Sequence, residues 1–204
     1  MVFLKKHSFK IAVLALCLGM GIYLFISNFA PQKESLPVLQ AAPDFSLSDI
    51  DGKEVSLEST NGKARIVYFY FANCPDVCPP TTFLLSEVQD LLDKEGMLGT
   101  KAELISITFD PVRDTPEVIR AFAERNFAEF KGWNFLRGEE APTIKLAEDF
   151  GVGVRKDEVN QSYIHFNVIT IVDKEGQIRK WINGSDEELE PEQIVDYLKQ
   201  LAKE

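Results

Sequence analysis

Positively charged residues are scarce in this sequence. It contains 22 lysines and arginines against 32 aspartates and glutamates, for a formal net charge of −10. Three of those lysines, Lys5, Lys6 and Lys10, lie in the N-terminal segment, which leaves 19 basic residues against 32 acidic ones, or −13, for the rest of the chain. This excess of negative charge argues against nucleic acid as a partner.

Histidine and cysteine are also scarce. There are two histidines and three cysteines, and His7 precedes the apolar N-terminal segment, so His165 is the only histidine in the remainder of the chain. Cys17 lies within the apolar segment, whereas Cys74 and Cys78 form a close pair. Internal repeats and low-complexity segments are absent, and the chain after the N-terminal segment is predicted to form one domain of ordinary size.

The N-terminal segment is predicted to be a membrane anchor. Residues 11–26 contain no charged or strongly polar side chain, and residues 9–29 are about long enough to cross a bilayer at roughly 20 residues per span. Lysines on the N-terminal flank keep that flank in the cytoplasm. We therefore predict a cytoplasmic N-terminus and transmembrane anchor at residues 1–30, a linker at 31–42, and an extracytoplasmic (periplasmic) domain at 43–204.

A cleaved signal peptide is the main alternative for this segment. The apolar run is long for a signal peptide, and Ala30, the most plausible small residue for cleavage, precedes Pro31. A lipoprotein site at Cys17 is disfavoured because the bulky Leu16 stands before it. An uncleaved anchor in a single-pass cell-membrane protein is therefore preferred.

Residues 66–82, IVYFYFANCPDVCPPTT, join a buried strand to the cysteine pair. The first seven residues are nearly all aromatic, aliphatic or β-branched, as in a central strand covered on both faces. Pro79 disfavours helical dihedrals for Cys78, so we predict a loop from Cys74 to Cys78 and a helix from Pro79 onwards. The helix N-terminus lowers thiol pKa and favours the thiolate, which serves metal ligation or disulfide exchange.

The spacing of the two cysteines is informative. Three residues separate them, whereas the common thioredoxin redox motif has two. The wider loop lets both sulfurs converge on one soft metal ion and still permits a disulfide. A structural disulfide, or two cysteines buried for packing, is disfavoured because a lone pair at a strand-to-helix turn is rarely there for packing alone.

The predicted elements alternate between strands and helices. Residues 44–57 predict a β-hairpin around Asp51-Gly52. The other predicted strands are 64–71, 103–109, 133–136, 166–172 and 177–182, and the predicted helices are 79–95, one opening at 115–117, 142–150 and 191–202. This order predicts an α/β, thioredoxin-like fold with a mixed central sheet flanked by helices, an N-terminal β-hairpin and an N-terminal transmembrane helix.

Four segments together resemble the SCO/SenC family of membrane-anchored copper chaperones. They are CPDVCP at 74–79, DPVRDTP at 110–116, GWNFLRG at 132–138 and the segment 165–173. The resemblance covers about residues 44–201. It implies a thioredoxin-like fold and one copper ion, Cu(I) or Cu(II), held by the two motif cysteines and a distant histidine. It also implies copper delivery to the CuA site of cytochrome c oxidase subunit II, with other copper chaperones or thiol reductants as further partners.

The residues themselves support His165 as the third ligand beside Cys74 and Cys78. It precedes the predicted strand 166–172, where ordinary thioredoxins carry a cis-proline that faces the cysteine loop, and no proline occurs between residues 142 and 191. Two thiolates and one imidazole suit copper, because soft sulfur favours Cu(I) and imidazole also tolerates Cu(II).

Two neighbours of His165 depart from the resembled family. Ile164 stands where an aspartate is usual, and Phe166 stands where a small hydroxyl residue is usual. Outer-shell partners normally fix a ligating histidine, so the loss of the acidic neighbour is expected to change the orientation or basicity of the imidazole.

Charged residues are also expected around the cysteine loop. Asp76 lies between the cysteines, and Asp110, Arg113 and Asp114 follow the next strand, whose end lies close to the cysteine loop in a parallel sheet. These charged residues are expected to form a rim of the cysteine site. Alternatively, Asp110 and Asp114 cap the helix that opens at Thr115.

Two classes of function remain open. In a copper metallochaperone, Cys74 and Cys78 are metal ligands. In an extracytoplasmic thiol-disulfide oxidoreductase, which reduces the cysteines of the oxidase subunit or of another protein, they are the redox-active pair. His165 discriminates between the two, because electron transfer through a dithiol does not require it. A peroxidase-like or redox-sensing role is weaker, since the sequence offers no additional cysteine or motif for it.

Overall fold

The computed structural model describes residues 2–29, 35–157, 159 and 162–204, with the side chains of 2–6, 8 and 26–29 excepted. The chain divides into two compact units, Met1–Ser35 and Leu36–Glu204. In the first unit, Val2–Phe29 forms one helix, α1. No helix within the described ranges meets the combined length and hydropathy that a bilayer crossing demands. The predicted linker lies partly outside the described residues.

The second unit contains strands and helices in alternation. Its strands are β1 (Gln40–Ala41), β2 (Ser46–Asp49), β3 (Glu54–Ser56), β4 (Ala64–Tyr70), β5 (Ala102–Thr108), β6 (Trp133–Arg137), β7 (Val154–Asp157), β8 (Ser162–His165), β9 (Val168–Val172) and β10 (Gln177–Asn183). Its helices are α2 (Cys78–Lys94), α3 (Pro116–Arg125), α4 (Glu140–Asp149) and α5 (Pro191–Leu201), with a short 3-10 helix at Glu58–Thr60.

Within the described residues, eight strands form one mixed sheet in the order β1-β10-β9-β4-β5-β6-β2-β3. Strands β4, β5 and β6 run parallel, and β9 pairs with β4 in the antiparallel direction. Every residue of β4 is buried, as its unbroken apolar sequence predicts for a strand covered on both faces. The predicted hairpin around Asp51-Gly52 is confirmed by the antiparallel pairing of β2 with β3.

Helical segments cover both faces of β4. The ring of Phe69 packs on Phe150 at the end of α4, with ring centroids 5.5 Å apart. On the opposite face the ring of Tyr70 stacks on Phe122 of α3 at 5.1 Å. The predicted α/β sheet flanked by helices is therefore confirmed, and β4 ends inside a fully packed core.

The register of the sheet brings the cysteine turn and the His165 segment to the same edge. In the antiparallel β4–β9 pair, Tyr68 lies opposite Ile169 and Arg65 lies opposite Val172. The start of β9 therefore lies beside the end of β4, where the cysteine turn begins. Antiparallel pairing places the segment before β9 at the cysteines even though 87 residues separate Cys78 from His165.

Near the cysteine turn and His165, the starts of two elements and one small sheet differ from the sequence predictions. Helix α2 begins at Cys78 rather than Pro79. The strand predicted at 166–172 begins only at Val168. The segment before it forms an unpredicted two-stranded sheet, in which β7 pairs with β8 and Val154 lies opposite His165.

Candidate metal centre

The two cysteines occupy a tight turn between β4 and α2. The amide of Cys74 donates to the carbonyl of Phe71 at 3.2 Å, which closes the chain on itself just after the strand. Cys78 is the first residue of α2, and the prolines that follow it sit in the first helical turn, where a missing amide proton costs no intrahelical bond. Cys74 is 8% exposed and Cys78 is fully buried. Both thiols are free.

His165 completes a three-residue cluster. It is the last residue of β8, and its Nε2 lies 3.6 Å from the Sγ of Cys78. One ligand atom each from Cys74, Cys78 and His165 all fall within 4.8 Å of one another. The structure therefore brings together the three residues that the sequence selected as metal ligands.

Backbone and aromatic contacts fix the orientation of the imidazole. Its Nδ1 lies 3.1 Å from the carbonyl oxygen of Phe166, which can only accept, so Nδ1 is the donor, and in the neutral ring Nε2 carries the lone pair that a metal ion would take. The rings of Phe71 and Phe109 meet the imidazole edge-on at 5.9 and 5.2 Å. The carbonyl of Phe166 supplies the outer-shell contact that fixes a ligating histidine.

The two thiols ionise very differently. The sulfurs of Cys74 and Cys78 lie within 4.8 Å of each other. This contact is the main reason that the pKa of Cys74 falls to about 4, with His165 and the amides of Asp76 and Cys78 adding to it against the effect of burial. The same contact, together with burial, raises the pKa of Cys78. Cys74 is thus a thiolate at neutral pH, as required of a metal ligand or an attacking nucleophile.

Asp114 ties the loop after β5 to the chain just before the cysteines. Its Oδ2 accepts from the amide of Ala72 at 2.9 Å and from the hydroxyl of Thr108. The predicted alternative, a cap for α3, is wrong for this residue, because Thr115 is the N-cap and its side chain accepts from the amide of Val118. Asp114 therefore supports the strand end from which the cysteine turn departs.

Asp110 and Arg113 form an ion pair beside the site. The guanidinium of Arg113 donates to the carboxylate of Asp110 and also lies over the ring of Tyr163, 5.9 Å from its centroid. Tyr163 in turn packs edge-on against Phe109, which contacts the imidazole. The two charged residues thus support the aromatic wall of His165, whereas Asp76 is exposed in the cysteine turn.

The buried carboxyl of Asp114 makes stability depend on pH. Burial raises its pKa from 3.8 to about 6, despite the hydrogen bonds from Thr108 and Ala72. A raised folded-state pKa means that the contribution of this group to stability is complete below pH 4 and is lost as pH rises through 6. Two pKa units correspond to about 3 kcal/mol, so the stability of Asp114→Asn relative to wild type should rise by up to about 3 kcal/mol between pH 4 and 7.

Urea unfolding midpoints measured from pH 4 to pH 7 test this expectation. Asp76→Asn is the matched control, because it removes one exposed carboxyl and no buried one. A difference between Asp114→Asn and wild type that stays constant over this pH range would show that the buried carboxyl does not carry the effect.

Comparison with known proteins identifies the family. The SCO1/SenC family model matches residues 34–203. The chain belongs to the SCO1/SenC family. Among solved structures of this family, a SCO1/SenC lipoprotein from Bacillus anthracis str. Ames is 29% identical with a TM-score of 0.74, and the match covers 81% of this chain and 97% of that one.

Two further SCO1/SenC structures bear on the site. BsSco, described as a member of the Sco family of cytochrome c oxidase assembly proteins with a disulfide switch, is 30% identical over 84% of this chain and 99% of its own, with a TM-score of 0.73. Bradyrhizobium japonicum ScoI, solved with copper bound, is 28% identical over 79% of this chain and 99% of its own, with a TM-score of 0.65. The resemblance found in the sequence motifs is confirmed at the level of family and fold.

Proposed function

We propose that this SCO1/SenC protein is a copper metallochaperone that holds a single copper ion through Cys74, Cys78 and His165 and delivers it to the CuA site of cytochrome c oxidase subunit II. The observation that carries the proposal is the convergence of two sulfurs and one imidazole nitrogen within 4.8 Å. Two soft sulfurs with one imidazole match the ligand preference of copper. The copper-bound ScoI structure and the oxidase-assembly role given for BsSco support the metal and the partner.

Unequal exposure of the ligands suggests how copper leaves the site. Cys78 is fully buried, whereas Cys74 is slightly exposed and His165 is half-buried at the surface. A ligand of the acceptor protein can therefore reach the ion from the side of Cys74 and His165, and these two are released before Cys78. Transfer of the ion by stepwise ligand exchange requires such an open side.

Copper uptake by reduced and by oxidised protein tests the proposal. The reduced protein is expected to bind about one copper ion per chain, and the disulfide form to bind essentially none, because metal ligation requires thiolates and the disulfide removes both. Metal analysis after gel filtration measures the stoichiometry. Equal copper binding by the oxidised protein would exclude the two sulfurs as ligands.

A thiol-disulfide oxidoreductase is the second candidate function. The low pKa of Cys74 favours thiolate attack on a disulfide, with Cys78 as the resolving thiol. The disulfide switch described for BsSco supports such chemistry within the family. The two functions differ in their need for His165, which the exchange reaction does not use.

We infer that helix α1 attaches the domain to the cell membrane, with the N-terminus in the cytoplasm and the domain outside. The described side chains of residues 9–25 are all exposed and predominantly apolar, and exposed apolar surface of this extent is typical of a membrane-interacting segment. The Bacillus anthracis relative is described as a lipoprotein, another form of membrane attachment. The transmembrane span itself stays a prediction from the sequence.

Cell fractionation tests this attachment. The protein is expected in the membrane pellet after an alkaline carbonate wash, and external protease should digest the domain in spheroplasts because the lysine-flanked end stays inside. Recovery of most of the protein in the soluble periplasmic fraction, with a new N-terminus near Ala30, would contradict the inference.

A further inference from the structure

The hairpin that carries His165 lies outside the main sheet. Among the described residues, β7 and β8 pair with each other and form a separate two-stranded sheet. The amide of Phe166 donates to the carbonyl of Gly153 at 3.0 Å, which continues this pairing at the base of the hairpin. Apart from its two chain connections, the hairpin therefore depends on side-chain contacts with the rest of the domain to place His165 beside the cysteines.

The register of the hairpin puts Tyr163 and Lys156 on the face that carries His165. Tyr163 lies two residues before His165 in β8, and side chains two residues apart in a strand lie on the same face. Lys156 lies directly opposite Tyr163 in the antiparallel pair, so its side chain also lies on that face. Tyr163 is 7% exposed, whereas Ile164, on the other face, is 52% exposed. The face with Tyr163 is thus the one turned toward the rest of the domain.

Tyr163 and Lys156 both make hydrogen bonds to one carboxylate oxygen of Glu140. The hydroxyl of Tyr163 donates to Oε1 at 2.7 Å, and the Nζ of Lys156 donates to the same atom at 2.6 Å. Glu140 is the first residue of α4, where a negative charge is favourable because the N-terminus of a helix is positive. Its side chain is 26% exposed, so the two bonds are partly shielded from solvent. Glu140 thus joins both strands of the hairpin to a helix that covers the main sheet.

Aromatic contacts couple the position of Tyr163 to that of His165. The ring of Tyr163 packs edge-on against Phe71 at 5.5 Å and against Phe109 at 5.0 Å. The imidazole of His165 meets the same two rings. A shift of Tyr163 would therefore move the imidazole relative to these rings, and it would change the distance from Nε2 to the Cys78 sulfur.

We propose that Glu140 is a positioning residue for the third copper ligand. By holding Tyr163 and Lys156, it fixes the hairpin so that the imidazole of His165 meets the two cysteine sulfurs. The consequences for copper binding rest on the proposed copper function, whereas the position of the imidazole does not. Glu140 itself is not one of the three residues that could hold the ion. A carboxylate from α4 thus supports His165, whose preceding residue, Ile164, has no polar side-chain atom.

Tyr163→Phe and Glu140→Ala test the proposal through Cu(II) affinity, measured against a competing chelator. Tyr163→Phe keeps the ring and removes only the hydroxyl, so affinity should fall by about 3- to 10-fold, the effect of losing one hydrogen bond. Glu140→Ala removes both hydrogen bonds, and affinity should fall by roughly 10- to 100-fold, as is typical of losing an outer-shell partner. The double variant should lose no more affinity than Glu140→Ala alone, because the two changes remove the same contact.

Glu139→Ala is the matched control for charge. Glu139 directly precedes Glu140, and its replacement removes one negative charge from the same end of α4. Its side chain is exposed and makes no cap hydrogen bond with the helix. The control variant should therefore bind copper as wild type does. Tyr163→Phe changes no charge, so a loss of affinity that it shares with Glu140→Ala is not an effect of charge.

The proton signals of the imidazole provide a readout that needs no copper. The chain contains two histidines, and His7→Ala identifies the His165 signals in the NMR spectrum of the reduced, detergent-solubilised protein. Spectra are recorded at pH 8, above the ordinary histidine pKa of about 6.5. The two aromatic rings beside the imidazole shift its signals away from those of free imidazole. In both test variants these signals should move toward the free values, and in the Glu139→Ala control they should match wild type.

The failure of this proposal and the failure of the copper function give different results. If wild type binds no copper, the copper function fails, and the imidazole signals alone decide the role of Glu140. Tyr163→Phe decides the question if Glu140→Ala does not fold. Unchanged His165 signals in the folded test variants, or an equal change in Glu139→Ala, would overturn the proposal. Wild-type Cu(II) affinity in both test variants would overturn it as well.

Discussion

Replacing Cys78 with serine is expected to abolish high-affinity copper binding. Cys78 is the fully buried member of the cluster, and its sulfur lies 3.6 Å from the Nε2 of His165. Serine offers a hard, protonated oxygen in place of a soft thiolate, and copper is left with one sulfur and one nitrogen. Copper affinity should fall by more than the roughly 10- to 100-fold that is typical of removing an outer-shell partner.

Competition with a Cu(I) chelator measures this loss, and Cys17→Ser is the matched control. Cys17 undergoes the same substitution but lies in α1, outside the cluster, so its replacement should leave affinity unchanged. If Cys78→Ser kept wild-type affinity, the ion would have to be held without the buried sulfur, and the assignment of ligands would be wrong.

The strands and turns that position the site could be predicted well, because the strongest signals in the sequence are local. The apolar run of β4 indicates a strand buried on both faces, and β4 is buried along its whole length. Asp51-Gly52 predicts a hairpin turn that the structure contains, with Gly52 at a φ of +83°. These features depend on side-chain pattern and turn chemistry, which a single sequence carries.

The predicted start of α2 was wrong by one residue, because the effect of a proline on the residue before it was given too much weight. Pro79 biases the residue before it away from helical dihedrals, but Val77 already adopts φ −83° and ψ −27°, and Cys78 is helical. The bias is small, and the proline causes no further loss in the first turn because an amide there has no intrahelical acceptor. The helix therefore begins one residue earlier, and the Cys78 sulfur is fixed by helix geometry.

The contacts that orient His165 could not be read from the sequence. The β7–β8 hairpin consists of two strands of four residues each, and it carries no strong turn signal. The imidazole is fixed by a backbone carbonyl and by Phe71 and Phe109, the residues that directly follow β4 and β5. The sequence identified an unusual Ile164-His165-Phe166 neighbourhood, but only the fold shows that a main-chain group supplies the outer-shell contact.

The hydrogen bond between the side chains of Tyr68 and Asn167 could not be predicted from the sequence for a related reason. Tyr68 is one aromatic residue within an aromatic strand, and Asn167 lies 99 residues later in the chain. Nothing in a run such as IVYFYF distinguishes Tyr68, whose hydroxyl donates to Asn167, from Tyr70, whose hydroxyl has no partner among the described residues. The difference arises from Asn167, which the fold brings to Tyr68 from the segment between β8 and β9.

Replacing His165 with alanine is expected to separate copper binding from thiol exchange. The imidazole is the only nitrogen donor of the cluster, and Cu(II) depends on nitrogen more than Cu(I) does, because two thiolates alone already suit Cu(I). Cu(II) affinity should therefore fall by more than about 100-fold, beyond the loss from an outer-shell change, and Cu(I) affinity should fall less. The equilibrium between the Cys74–Cys78 disulfide and dithiothreitol should stay within about threefold of wild type, because the contact with Cys78, and not the imidazole, is the largest cause of the low pKa of Cys74.

The other histidine provides the control for this last prediction. His7→Ala removes an imidazole from α1, and it should leave both copper affinities unchanged. Cu(II) and Cu(I) competition titrations on the two variants, with the thiol equilibrium measured on the same preparations, distinguish the two candidate functions. Unaltered copper affinities and an unaltered Cu(II) spectrum in His165→Ala would mean that the third ligand is another group. If in addition wild type bound copper only weakly, the Cys74–Cys78 pair would serve thiol exchange alone, because exchange through a dithiol needs only the two sulfurs.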